Sequence, residues 1–168
     1  MSNYKLGPCY ISFKGADLGK TEGGITVTMS NAFVELHTDQ DGETPVDEQI
    51  VGTFIKVAGN LAEITIENMA SILNETLVTD GTKKKVEIKP NVGTSLMDAG
   101  GELIIKPYNA GIVSIDANEW ITLHKAGMKA SADLAFNRSD QRVIAFEAVG
   151  YPDSNGIIAT YGDVTASA

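Results

Sequence analysis

GITVTMSNAFVELHTDQDGETPVDEQIVGTFIKVAGN, residues 24–60, holds two long β-forming runs on either side of an acidic decade. In the first run, Gly24 to Thr38, Ile25, Val27 and Met29 alternate with Thr26, Thr28 and Ser30, the period of a strand with one apolar face. At Asn31-Ala32 the phase changes: Val34 and Leu36 become the apolar set and Glu35 and His37 the polar one. A one-residue change of phase inside a long strand predicts a bulge or bend. The second run, Ile50 to Asn60, carries Val51, Ile55 and Val57 as its apolar face. Two long strands joined in this way predict a β-hairpin.

The decade between them, Asp39, Gln40, Asp41, Gly42, Glu43, Thr44, Pro45, Val46, Asp47 and Glu48, packs five carboxylates with one glycine and one proline and no basic residue. Three readings compete for it. With His37 as position one, Asp39, Asp41, Gly42 and Glu48 fall at positions three, five, six and twelve of a calcium loop. Against that, position one should be a carboxylate, Pro45 takes position nine, and strands flank the segment where helices should. Asp39/Asp41 and Asp47/Glu48 could instead form a glycosidase-like acid pair, but no aromatic residue accompanies them to hold a sugar. The third reading is an arm that meets another protein. A hairpin with a long charged loop buries little on its own, and ten residues folded back reach about 15 Å, enough to touch a neighbouring subunit.

Outward from this hairpin, strands are expected at Pro8–Phe13, Lys85–Lys89, Glu102–Pro107, Trp120–Lys125, Arg142–Val149 and Ile157–Tyr161, with a turn at Lys14-Gly15-Ala16-Asp17. One helix interrupts them. Thr65 is its N-cap, Glu67 sits in the first turn, and Ile66, Met69, Ala70, Leu73 and Leu77 recur at helical spacing until Asp80-Gly81. The chain of 168 residues, with 17 glycines, 43% apolar and 21% charged residues, therefore reads as a single mainly β domain, a sandwich or barrel with one packed helix.

Composition narrows the function. A net charge of −9 argues against a basic nucleic-acid grip. Cys9 is the only cysteine, so a disulfide could form only between chains. The opening MSNYKLGPCYISF lacks the form of a secretory signal, and no apolar run is long enough to cross a membrane as a helix. A protein kept in a reducing cytoplasm, unless something else exports it, is expected. Gly15 to Thr21, GADLGKT, misses the phosphate-loop spacing by one residue and leads into a strand, so it reads as a turn. His37 and His124 lie in strand patterns without a nucleophile motif, and no zinc-ligand spacing occurs. No enzyme is expected. The one concentrated positive charge is Lys83, Lys84 and Lys85, either a solvated turn or a complementary basic contact for someone else's carboxylates.

The ordered set of motifs resembles the tail tube (major tail) proteins of tailed bacteriophages. Gly15-Ala16-Asp17-Leu18-Gly19 with Gly23-Gly24-Ile25-Thr26-Val27 resembles the family's opening hairpin. Gly42-Glu43-Thr44-Pro45-Val46-Asp47-Glu48 resembles its loop between two long strands, and Gly52-Thr53 through Leu61-Ala62-Glu63 to Glu67-Asn68 its second long strand entering the helix. Arg142 to Ala148 and Gly156 to Asp163 resemble its last two strands.

The resemblance implies a virion protein assembled in the host cytoplasm, whose strands close a continuous barrel in a hexameric ring. Rings would stack into a tube through the loop Asp39–Glu48, with genomic DNA passing without specific binding and no catalytic residue, cofactor, metal or membrane involved. Other tail components (sheath or terminator, tape measure, baseplate) would be its partners. The inner tube of a contractile injection device fits the same architecture. A monomeric calcium- or carbohydrate-binding β-sandwich is the rival of a different class.

Overall fold

The computed structural model describes residues 7–134, 138 and 141–167; the first six residues of the opening segment lie outside them. The chain begins with β1 (Cys9–Phe13), which turns through Lys14 and Gly15 into β2 (Ala16–Asp17). Both turn residues have positive φ, 52° and 78°, which a two-residue hairpin turn with the right twist requires. The predicted hairpin follows as β3 (Thr21–Leu36) and β4 (Asp47–Leu61). Its register jumps twice. At the base, Glu22 pairs with Asn60 and Ile25 with Gly59, so Gly23 and Gly24 bulge out at φ 75° and 84°. Farther out, Ala32 pairs with Gly52 but Phe33 with Ile50. The second shift falls at the predicted phase change, although the extra residue, Val51, is on β4.

The helix is α1 (Ile66–Leu73), shorter than the periodicity predicts. The Thr65 side chain accepts from the Asn68 amide at 3.1 Å, capping the start. Asn74, at φ 54°, ends it in the left-handed conformation that asparagine tolerates. Leu77 therefore belongs to β5 (Leu77–Asp80), which pairs with β6 (Lys83–Val86) around Gly81 at φ 59°. The apparent helical repeat of Leu77 was an accident of spacing: Val78 and Thr79 favour strand. The buried face of α1 is also rotated from the predicted one, to Asn68, Ala70 and Ile72. The strand expected at Lys85–Lys89 likewise starts and ends earlier, as β6.

The remaining strands are β7 (Gly101–Asn109), β8 (Ile112–Val113), β9 (Ile121–Asp133), β10 (Val143–Tyr151) and β11 (Ala159–Tyr161). β9 runs eight residues past Lys125, through a stretch too rich in small side chains to signal a strand. Together they form one antiparallel sheet in the order β2-β1-β7-β9-β10-β4-β3, with β8 on β7 and β11 on β9; β5 and β6 stand apart as a two-stranded ribbon.

The sheet curls around a single core. Phe13, Leu103 and Leu123 are register partners across β1, β7 and β9, and all are fully buried. Side chains of that size contribute about 1.5–3 kcal/mol each when buried. Val57, Ala148 and Met128 form a second such row across β4, β10 and β9. Seven strands laid flat would span roughly 30 Å, yet parts of β1 and β3 come within 8 Å of each other. The curl does not close. Among the described residues β2 and β3 remain its two edges, so the described sheet is neither a complete barrel nor two separate stacked sheets.

Candidate assembly surface

β4 pairs with β10 only from Lys56 to Leu61. Beyond Lys56, toward Asp47, its only partner is β3, and no strand among the described residues pairs with the outer edge of β3 at all. Nine residues of strand at about 3.3 Å each project the hairpin by roughly 30 Å. Register partners share a face, so the pair of half-buried Val27 and fully buried Val57 is continued outward by Met29–Ile55, Asn31–Thr53 and Phe33–Ile50. The apolar stripe thus runs off the end of the core. Met29, Phe33 and Ile50 are all more than half exposed. Phe54, Val34, Val46 and the bulge residue Val51 are large exposed apolar groups on the same projection. Phe54 lies over Gly52, where an added Cβ would meet the ring at 3.3 Å.

The acidic segment divides in two. Asp47 and Glu48 are the first residues of β4, opposite Leu36 and Glu35, while Asp39, Gln40, Asp41, Gly42, Glu43, Thr44 and Pro45 form the exposed tip. Backbone bonds shape that tip: Val46 donates to the Leu36 carbonyl at 2.9 Å, Asp41 to Thr38 at 3.1 Å, and Thr44 to Asp41 at 3.3 Å. The Thr38 hydroxyl donates to the Asp41 carboxylate, and Gly42 takes φ 65°. Glu35 and Glu48 stand directly opposite, a like-charge pair that disfavours the bare hairpin end. His37 approaches Glu35 at 3.5 Å. Among the described residues no three His, Cys, Asp or Glu side chains are placed to hold a metal ion.

Lys83, Lys84 and Lys85 lie on β6, not in a turn, and two of them already have partners in the chain. Lys84 bridges Glu67 of α1, and Lys85 bridges Glu87, which Lys89 also approaches at 3.7 Å. The hydrogen bond from Lys84 holds the Glu67 carboxyl below the usual glutamate range, and that from Lys85 does the same for Glu87. The structure brings neither lysine to the acidic tip of its own chain.

The other residues singled out by sequence have local roles. Asp17 accepts from the Gly19 amide at 2.8 Å, so GADLGKT is a turn. His124 Nε2 and the Thr160 hydroxyl are 2.7 Å apart, joining β9 to β11. Cys9 is half-buried, and burial pushes its thiol pKa up.

One charged cluster escaped the sequence reading. Lys56 of β4 and Lys129 of β9 both reach Glu147 of β10, at 3.8 and 3.6 Å, on the face opposite the core. Three residues from three distant strands carry no common signal in sequence. Comparison with protein-family models and with curated proteins finds no match for this chain.

Proposed function

We propose that the protein is a structural subunit that polymerises into stacked rings, forming a phage tail tube through which DNA leaves the virion. The observation that carries this reading is the β3–β4 hairpin, which extends the apolar core face beyond the core and leaves Met29, Phe33, Ile50 and Phe54 exposed. A long edge strand with exposed apolar residues is an aggregation hazard unless another chain covers it. The sheet offers two unlike edges for that purpose. Among the described residues no strand pairs with the outer side of β3, and none pairs with β9 beyond Ala126 on the side away from β10, although the Asn74 side chain donates to the Met128 carbonyl at 3.3 Å. Joining unlike edges is head-to-tail association, which closes into a ring when the rotation permits. Ring closure in this way continues β3, β4, β10 and β9 into a barrel that no single chain completes. The number of copies, six, and the passage of DNA come from the resemblance of the sequence motifs to tail tube proteins, as do the other tail components as partners.

The acidic tip then reaches the adjoining ring. Its exposed carboxylates and the like-charge Glu35–Glu48 pair are poor stabilisers of a monomer and good candidates for charge complementarity between rings. Negative-stain microscopy of the concentrated protein, with sedimentation velocity on the same samples, tests the reading. Rings or tubes of uniform diameter are expected; a monomer at every concentration contradicts it.

A further inference from the structure

Past Ala126, a side chain from α1 sits on the edge of β9 where a neighbouring strand is missing. An added Cβ at Gly100 would meet the Ala126 carbonyl at 2.6 Å, so that carbonyl points to the β7 side of β9. Backbone groups alternate sides along a strand, so the Met128 amide and carbonyl point the same way, off the edge. The Asn74 side-chain amide donates to that carbonyl at 3.3 Å. It stands where the backbone N–H of an added strand would stand.

This bond is made to yield. Asn74 Oδ1 is buried and has no partner among the described residues, and a buried acceptor left in that state carries a desolvation penalty. Beside it lies an open cleft of about 490 Å³, lined by Lys14, Glu67, Ala70, Ser71 and Glu75 among others. The cleft gives the amide room to turn off β9 and brings Oδ1 to water. The helix end does not depend on the side chain. Asn74 closes α1 at φ 54° through its own N–H, bonded to the Ala70 and Ser71 carbonyls.

Resting on the reading above, in which β3 of one copy adds to the open edge of β9 in the next, we propose that Asn74 is a latch that holds the free chain back from assembly. Closed, its amide occupies the Met128 carbonyl and blocks the first backbone pair. Open, it leaves that carbonyl to the N–H of the arriving strand, and Oδ1 escapes burial. A chain whose competent form is only a fraction of the population binds with an affinity reduced by that fraction. The latch thus guards an edge that would otherwise pair with any exposed strand, and the correct strand displaces it.

Asn74→Gly removes the latch and keeps the left-handed helix end, which glycine adopts without steric cost. Asn74→Asp is the second variant: aspartate tolerates the same backbone conformation, and its carboxylate, an acceptor only, cannot bond a carbonyl. Urea unfolding of each monomer reports the fold, and pelleting of tubes checked by microscopy gives the critical concentration for growth. Both variants should fold, and both should lower that concentration about fivefold, the factor that one neutral hydrogen bond supplies. In tubes of the parent, the Met128 amide should exchange hydrogen more slowly than in the monomer.

An unchanged or raised critical concentration in either folded variant overturns the latch, as does a Met128 amide that exchanges equally fast in tubes and monomer. Unfolding of both variants overturns it too, by showing that Asn74 holds the fold together. Each of these results leaves the tubes of the parent in place. A parent that forms no tubes at any concentration overturns the tube reading itself.

Discussion

Phe33 and Ile50 stand opposite each other across the β3–β4 hairpin, 58% and 61% exposed, on the same face that is fully buried three pairs closer to the base at Val57. No described residue covers them, and in the proposed assembly they are the apolar anchors of the contact between copies. Phe33→Ser/Ile50→Ser should leave the melting temperature of the isolated chain almost unchanged. It should abolish ring formation, since completing the burial of the pair contributes on the order of 1–3 kcal/mol per copy. Sedimentation velocity of mutant and parent at matched concentrations checks both halves. A large loss of monomer stability would place the pair in the fold rather than the interface.

Shortening the acidic tip separates stacking from ring closure. Replacing residues 38–45 by a two-residue Asn-Gly turn keeps Leu36 and Asp47 in register and removes no buried side chain. Folded protein that still forms rings but no longer forms long tubes is the expected outcome under the microscope. Tubes of normal length would end the stacking role of Asp39–Pro45.

For the basic side of such a contact, the intrachain bridges of Lys84 and Lys85 single out Lys83, which has no ion pair among the described residues. Lys83→Glu should slow tube growth, with the defect greatest at low salt, where exposed charges are least screened. Turbidity or light scattering against salt concentration gives the readout, and an Asp41→Lys partner change should restore growth if the two surfaces meet. Parent-like growth by the single mutant at low salt would dispose of the contact.

Asn68 carries a structural prediction independent of assembly. Buried at the start of α1, its amide donates to the Leu18 carbonyl at 2.9 Å and the Glu63 carbonyl at 3.2 Å, tying the helix to the loop after β2. Asn68→Ala leaves both carbonyls without that donor and should cost about 2 kcal/mol. The midpoint of urea unfolding of the monomer measures it; an unchanged midpoint would mean that water replaces the amide at no cost.

Acid should loosen the segment between β10 and β11. Asp153 accepts from the Ile157 amide at 2.9 Å and from the Asn155 amide at 2.8 Å, and these bonds, the Ile157 one foremost, hold its carboxyl below the ordinary aspartate range. A folded pKa below the unfolded one means stabilisation present above the unfolded value and lost as pH falls through the folded one. Asp153→Ala should therefore melt below the parent at neutral pH, and the two melting curves should converge as the solution is acidified.

How much of this was legible from the chain alone depends on the range of the interactions. The hairpin, its acidic tip, the second bulge and the Thr65 cap are set by neighbours in sequence: alternation of side chains, a capping hydroxyl, glycines in turns. They appear where residues 24–60 and Thr65 place them, within three residues, β3 and β4 each starting three residues earlier than expected. The end of α1 did not, because Leu77 satisfies a helical repeat while Asn74 in the left-handed conformation had already stopped the helix. The second half of β9 was invisible because small residues such as Ala126 and Gly127 become strand only by pairing with β10.

The candidate site divides along the same line. Sequence alone marks a charged loop between two strands. Only the tertiary structure decides that the sheet stays open, that β3 and part of β9 are left as edges, and that Lys56, Lys129 and Glu147 meet. Those outcomes depend on which strands end up as neighbours, and the loop-closure and burial terms that select neighbours act across the whole chain.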